Sequence, residues 1–191
     1  GNNTYQGVTT LNSGTLALGH AQALGIARLD VTGNSALETT SALAIGNDID
    51  IHGDLTVQGN NNLTLDGSLT GNGSLTKTGS GTLTLNGGDG FVGAYNVDGG
   101  RLVSTTLLSL GEPFGVGVAS GATLQLVAGA NIGMLVGAGN VELDSGQLSL
   151  NGGTFSGVLS GNGDLYKQGS GTLLLSGNSN LAGDTTVAGG T

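Results

Sequence analysis

Two stretches of this chain, 90 residues apart, have nearly the same sequence, and this repeat limits the possible folds more than any other feature. Residues 71–88 read GNGSLTKTGSGTLTLNGG and residues 161–178 read GNGDLYKQGSGTLLLSGN, with 12 of 18 positions identical. The similarity continues into the residues that follow, and residues 1–16 repeat that second half alone. Repetition of this kind is typical of solenoids, in which each unit buries its apolar side only against its neighbours.

The repeat motif is defined by glycine, leucine and one lysine at fixed spacing. We place it at 69–102 and 159–191, with a partial copy at 1–16. The chain thus begins and ends inside a motif, and we expect residues 1–191 to be one solenoid segment of a longer protein. The motif residues are Gly71, Gly73, Leu75, Lys77, Gly79, Gly81, Leu83, Leu85, and then Gly161, Gly163, Leu165, Lys167, Gly169, Gly171, Leu173 and Leu175.

Short apolar alternations predict strands along the whole chain. Leu83 and Leu85 alternate with Thr82 and Thr84, which places the leucines on one face of a strand. Similar short runs recur throughout, and nearly all are bounded by turn residues. Asn-Gly pairs also occur, so the strand pattern alone leaves a β-sandwich open. The repeat favours an all-β fold, a right-handed parallel β-helix of about nine coils with about 20 residues each.

The composition disfavours several other classes of protein. Forty glycines and one proline are unsuited to helices, and they lack the strict three-residue period of collagen. The formal net charge of −9 disfavours nucleic acid and anionic lipid as partners. No apolar run approaches the ~20 residues that a membrane-spanning helix needs.

The repeat resembles the passenger-associated transport repeat of bacterial autotransporters. The family pattern, G-x-G-x-L-x-K-x-G-x-G-T-L-x-L-x-G followed by an Asn-aromatic-Gly stretch, is carried by residues 71–102 and 161–191. The resemblance implies a β-helical passenger on the bacterial cell surface, attached to the outer membrane through a β-barrel outside this chain. It implies a stalk or adhesive scaffold that supports folding during secretion, without catalytic residues in the motif. In one copy Ala94-Tyr95-Asn96 replace a Thr-Thr pair, which leaves the orientation of that strand open.

Two classes of function remain in view. An adhesive passenger would bind a second copy through its polar outer faces, giving cell–cell self-association, or bind a ligand on a host surface. The alternative is a fragment of a β-helical enzyme that cleaves polysaccharides, which rests on fold analogy alone. Two histidines, no cysteine and the solitary Arg28 and Arg101 offer little nucleophilic or acid–base chemistry. We therefore predict a protein that is not an enzyme and has no cofactor.

Two groups of charged residues are candidates for a specific role. Lys77 and Lys167 occupy the same repeat position, which indicates a structural role, either solvated or stabilising a turn. Alternation would place Asp48, Asp50, His52 and Asp54 on one strand face, where carboxylates are weak candidates for a metal. At roughly 3.3 Å per residue this set spans about 20 Å, so one ion could contact only two of them. We therefore predict a solvated acidic face and no metal.

Overall fold

The chain winds as a solenoid of about nine turns, built from strands alone in the part that is described. A computed structural model describes residues 1–109 and 115–191. Every strand pairing in these ranges is parallel. The same ranges contain no helix long and apolar enough to cross a membrane. The predicted all-β parallel solenoid of about nine coils is confirmed, and the sandwich alternative is wrong.

Each complete coil contributes strands to three faces, which we name A, B and C. Face A contains β1 (Thr9–Leu11), β3 (Leu29–Val31), β6 (Ile49–Ile51), β9 (Leu69–Gly71), β12 (Asp89–Phe91), β15 (Leu108–Ser109), the first halves of β18 (Ala130–Gly137) and β20 (Gln147–Phe155), β22 (Asp164–Lys167) and β25 (Thr185–Val187). Face B contains β2 (Gly14–Leu18), β4 (Ser35–Thr39), β7 (Asp54–Val57), β10 (Ser74–Lys77), β13 (Ala94–Val97), β16 (Gly115–Val118), the second halves of β18 and β20, and β23 (Leu173–Leu175). Face C contains β5 (Leu43–Ile45), β8 (Leu63–Leu65), β11 (Thr82–Leu85), β14 (Arg101–Ser104), β17 (Thr123–Leu126), β19 (Asn140–Leu143), β21 (Val158–Gly161) and β24 (Asn180–Leu181).

Alternate residues of each strand point into the solenoid and form apolar columns along its axis. One column on face B contains Leu55, Leu75, Tyr95, Val116 and Leu135, each at most 1 % exposed. The residues between them point outward and are mostly small or polar. The columns remove apolar surface from water along the whole axis, at about 25 cal/mol per Å², and this is the main stabilising contribution.

The Ala94-Tyr95-Asn96 departure keeps the alternation of its neighbours. Tyr95 points inward and is fully buried in β13. Its ring meets Phe91 edge-on, with ring centroids 5.1 Å apart and an angle of 76° between the planes. This is a favourable geometry for an aromatic pair, so the larger side chain fills the core without disturbing the strand.

Stacked glycines form the corner between faces A and B. Gly33, Gly53, Gly73 and Gly93 follow one another there in consecutive coils. A Cβ on Gly53 would lie 2.5 Å from the carbonyl oxygen of Gly33, and a Cβ on Gly73 or Gly93 would overlap the carbonyl oxygen of the preceding glycine. Backbone therefore stacks directly on backbone at this corner, which leaves no room for a side chain at these four positions.

The two full copies of the repeat lie on different faces. Strands β9, β10 and β11 of the first copy are on faces A, B and C, whereas the equivalent β21, β22 and β23 are on faces C, A and B. Coil length varies between the copies, since Leu102 pairs with Leu124, 22 residues on, and Leu124 pairs with Val141, only 17 residues on. Four coils after β9, face A is occupied by the first half of β20, and β21 lies two faces further on. The 90-residue offset thus spans four and two-thirds coils.

Candidate functional site

Each full copy of the repeat places a lysine at the inward-facing end of its second strand. Lys77 ends β10 and Lys167 ends β22, and each is only 2 % exposed. Lys77 occupies a position in an apolar column between Val57 and Val97. A charged group in such a place needs polar partners to replace the water it has lost.

Backbone carbonyls supply those partners for Lys77. Its Nζ donates hydrogen bonds to the carbonyl oxygens of Thr78 at 2.5 Å and Gly79 at 3.0 Å, and it is 3.4 Å from that of Gly99. The first two belong to the corner that follows β10, and Gly99 belongs to the same corner one coil later. Gly79 has φ of +71°, a left-handed conformation that glycine adopts without strain. The lysine thus ties two consecutive coils together.

The same arrangement recurs at Lys167, on a different face. Its Nζ donates to the carbonyl oxygens of Gln168 at 2.6 Å, Gly169 at 3.2 Å and Gly189 at 2.9 Å. Gly169 again has a left-handed φ, of +67°. Because the contacts are independent of the face that carries them, the repeat motif specifies this lysine site as a local unit.

Burial sets the protonation chemistry of the first of these sites. Removal from water lowers the pKa of the Lys77 ammonium below its ordinary value of 10.5. No carboxylate in the described part of the chain pairs with either lysine. The site is therefore a buried cation held by backbone dipoles, suited to stabilising a corner rather than to proton transfer with a substrate.

The structure decides between the two roles that the sequence left open for the lysines. Both side chains are buried and bind a corner, so the solvated role is wrong. A signal was present in the sequence, because Lys77 lies two residues after Leu75 and therefore on the same side of the strand. The pattern S-L-T-K was sufficient to predict an inward lysine.

The other motif residues lie either in the core or at corners. Leu75, Leu83, Leu85 and Leu165 are buried, Leu173 is half-buried and Leu175 is exposed. Seven of the eight motif glycines are closely approached by the backbone of a neighbouring coil. An added Cβ would come within 3.0 Å of that backbone at Gly71, Gly73, Gly79, Gly81, Gly161, Gly163 and Gly171. At Gly169 it would lie 3.2 Å from the side chain of Asn151.

The predicted acidic face is wrong in its extent. Asp48 and Asp50 are on face A, but the chain turns the corner at His52 and Gly53, so Asp54 begins a strand of face B. Within residues 1–109 and 115–191 no group of three or more His, Cys, Asp or Glu side chains is placed to hold a metal ion. Gly53 was the signal that the alternation ends there.

Each of these carboxylates instead accepts a hydrogen bond from the next coil. The donors lie 20 residues further along the chain in every case, which links consecutive coils on the outer surface. The pairs are Ser68 N to Asp48 Oδ1 at 2.8 Å, Thr70 Oγ1 to Asp50 Oδ1 at 3.1 Å, and Ser74 Oγ to Asp54 Oδ1 at 2.5 Å.

Both arginines form ion pairs on the outer faces. Arg101 donates from Nη1 and Nη2 to the carboxylate of Glu142 at 2.6 and 3.2 Å, and this pair raises the pKa of Arg101. On face A, Nε of Arg28 lies 2.6 Å from Oδ1 of Asp30, and the hydrogen bond between the two side chains raises the pKa of Arg28.

An enzyme that hydrolyses glycosidic bonds needs paired carboxylates in its site. The groove lined by Gly14, Thr15, Asn34, Ser35, Ala36, Asp54, Thr56 and Gln58 contains a single carboxylate, that of Asp54.

Comparison of the sequence with known proteins finds a matching repeat family and a similar adhesin. The passenger-associated transport repeat matches residues 1–18, 75–103 and 165–191. The chain is also 36% identical over 118 residues to the adhesin BmaC autotransporter of Brucella suis biovar 1 (strain 1330). Three stretches of the chain are therefore passenger-associated transport repeats, and the chain is similar to an autotransporter adhesin. The aligned region covers 54% of this chain and 3% of the Brucella protein. No solved structure matches the chain.

The match to the passenger repeat coincides with the lysine site. Its two longer stretches start at Leu75 and Leu165, on the strands that end in Lys77 and Lys167, and they include the corner carbonyls of Gly99 and Gly189. The unit that matches the family model is therefore one whose buried cation joins two coils.

Proposed function

We propose that this passenger lies on the bacterial cell surface, carried by an outer-membrane β-barrel, and acts as a rigid scaffold for adhesion or cell–cell self-association. The observation that carries the proposal is the repeat-bearing solenoid itself, whose core is apolar and whose outward side chains are mostly small or polar. The similarity of the chain to a protein named an adhesin supports an adhesive role. The lysine sites serve the rigidity of the scaffold, since each one joins two coils.

Face B is the surface that best suits contact with a second copy. It continues through nearly all the coils, and one of its outward columns contains Thr15, Ala36, Thr56, Thr76 and Asn96. Short side chains of this kind leave the sheet flat and its hydroxyl and amide groups within reach of a partner. The stretch of face B from Thr15 to Asn96 can form many hydrogen bonds at once with the same stretch of a second copy.

The test measures association of the purified chain by sedimentation velocity over a wide range of concentration. The face B variant carries Thr56→Glu and Thr76→Glu. The matched control carries Thr64→Glu and Thr84→Glu, which make the same change on face C in the same two coils. We expect the parent to self-associate, the face B variant to lose association, and the control to retain it.

Two results would contradict the proposal. Equal loss in both variants would mean that face B has no special part in the contact. A chain that stays monomeric at every concentration would remove self-association from its function and leave a stalk whose adhesive surface lies elsewhere. Display of the chain on cells through an outer-membrane β-barrel, followed by measurement of cell settling, tests the same contact in place.

A further inference from the structure

All four cationic side chains of this passenger, each of which lies in the described part, already have partners within the chain. Lys77 and Lys167 are buried on backbone carbonyls. Arg28 and Arg101 pair with Asp30 and Glu142. The outer faces therefore present no lysine or arginine that is free to pair with a carboxylate of another molecule.

The carboxylates of the described residues, in contrast, point mostly outward. The chain has 13 of them, and six lie in residues 28–66, where Arg28 is the sole lysine or arginine. Asp48, Asp54 and Asp66 are exposed, while Asp30 and Asp50 are partly exposed. Two copies that approach side by side bring carboxylate to carboxylate, and their outer faces hold no unpaired lysine or arginine to offset the repulsion.

We infer that two copies of this passenger repel one another at low ionic strength and associate once salt screens the carboxylates of their outer faces. The inference rests on the self-association in the proposed function and adds its regulation. The range of the repulsion follows the Debye length, about 30 Å at 0.01 M salt and about 10 Å at 0.1 M. Interfaces with complementary charges show the opposite salt dependence, because salt weakens their attraction.

The experiment follows the association constant of the purified chain by sedimentation velocity in sodium chloride from about 0.01 to 0.5 M. We expect a rise of roughly tenfold or more over this range. A triple variant, Asp48→Asn with Asp50→Asn and Asp54→Asn, keeps an acceptor oxygen at each position and removes three charges. It should associate at a lower salt concentration than the parent.

A charge-neutral control shows that the effect belongs to the carboxylates. Thr56→Ser, Thr64→Ser and Thr84→Ser change three outward positions and leave the net charge as it is, so this control should follow the parent. Association that weakens with salt, or a triple variant that behaves like the control, overturns the inference. Association driven by calcium at matched ionic strength, and not by sodium, would replace screening with ion bridging and would overturn it as well.

A separate measurement distinguishes failure of this inference from failure of the proposed function. The second virial coefficient from light scattering reports the net force between copies even when no complex forms. A chain that stays monomeric at all salt concentrations contradicts self-association; a coefficient that then falls as salt is added still supports the repulsion. A coefficient that is independent of salt overturns the repulsion itself.

Discussion

The two full copies of the repeat share their sequence but not their surroundings. In the first copy, Leu83 is fully buried and pairs with Leu63 on one side and Leu102 on the other. In the second copy, the equivalent Leu173 pairs with Gly153 of β20, donates its N–H to the carbonyl oxygen of Thr191 at 2.8 Å, and is only half-buried. The motif therefore supplies a strand, and the coils on either side decide how much that strand contributes to stability.

Replacing these two leucines by alanine gives the largest expected difference between the copies. We expect Leu83→Ala to lower the free energy of unfolding by about 2–5 kcal/mol, because it leaves a cavity between two coils. Leu173→Ala should lower it by less than about 1 kcal/mol, since its side chain is already partly in water. Urea unfolding followed by circular dichroism measures both values. Equal losses would show that burial in the two copies is the same.

Alanine at the glycine corner compares the closeness of stacking in the two copies. A Cβ on Gly73 would overlap the carbonyl oxygen of Gly53, whereas a Cβ on the equivalent Gly163 would lie 2.7 Å from that of Gly146. We expect Gly73→Ala to cost about 1–3 kcal/mol and Gly163→Ala to cost less. Gly46→Ala is the control, because a Cβ there meets nothing within 4 Å. A control as damaging as Gly73→Ala in thermal unfolding would point to backbone flexibility instead of close contact.

Methionine at the lysine sites compares the two corners without leaving a large cavity. Lys77→Met keeps most of the side-chain volume but leaves buried carbonyls without a donor, and we expect a loss of about 1–3 kcal/mol. Lys167→Met should lower the free energy of unfolding by less. The corner at Gly189 lies two residues after Val187, which is 63% exposed, so water can reach the carbonyls there. Hydrogen exchange at the amides near Gly99 and Gly189 shows whether each corner has loosened. Protection that is unchanged in both variants would contradict a role in joining coils.

The pH dependence of stability is the smallest predicted effect. Burial lowers the pKa of Lys77 in the folded chain, so between that lowered value and 10.5 the unfolded chain binds more protons than the folded chain. Stability contributed at this site therefore rises with pH across the window. As the pH rises through this window, the unfolding free energy of the parent should increase relative to that of Lys77→Met. A difference that is independent of pH would mean that the pKa of Lys77 is the same in both states.

Most of the fold could be predicted from the sequence, because the signals that specify it are local. Alternating residues such as Leu83 and Leu85 define strands, glycines define corners, and repetition shows that neighbouring units must stack. The same alternation also predicts that Lys77 points inward. Its charge alone would favour a position in solvent, but three backbone carbonyls accept hydrogen bonds from it inside the solenoid.

The placement of strands on faces could not be predicted in the same way. It depends on the sum of coil lengths between the copies, and these lengths vary because corners and strands are longer in some coils than in others. Asp54 shows the same limit on a small scale, since one corner at His52 and Gly53 moves it to another face. Differences in coil length add up along the chain, whereas each local sequence signal describes only a few residues.

The offset of four and two-thirds coils limits how many copies of the motif one rigid partner can bind at once. Outward residues that are equivalent in the two copies, such as Thr76 and Tyr166, point to different sides of the solenoid. A rigid partner that recognised one copy could not engage the other by sliding along the same side. Repetition of this motif therefore gives no avidity toward a rigid binder. A flexible binder that wraps around the axis would gain from every copy.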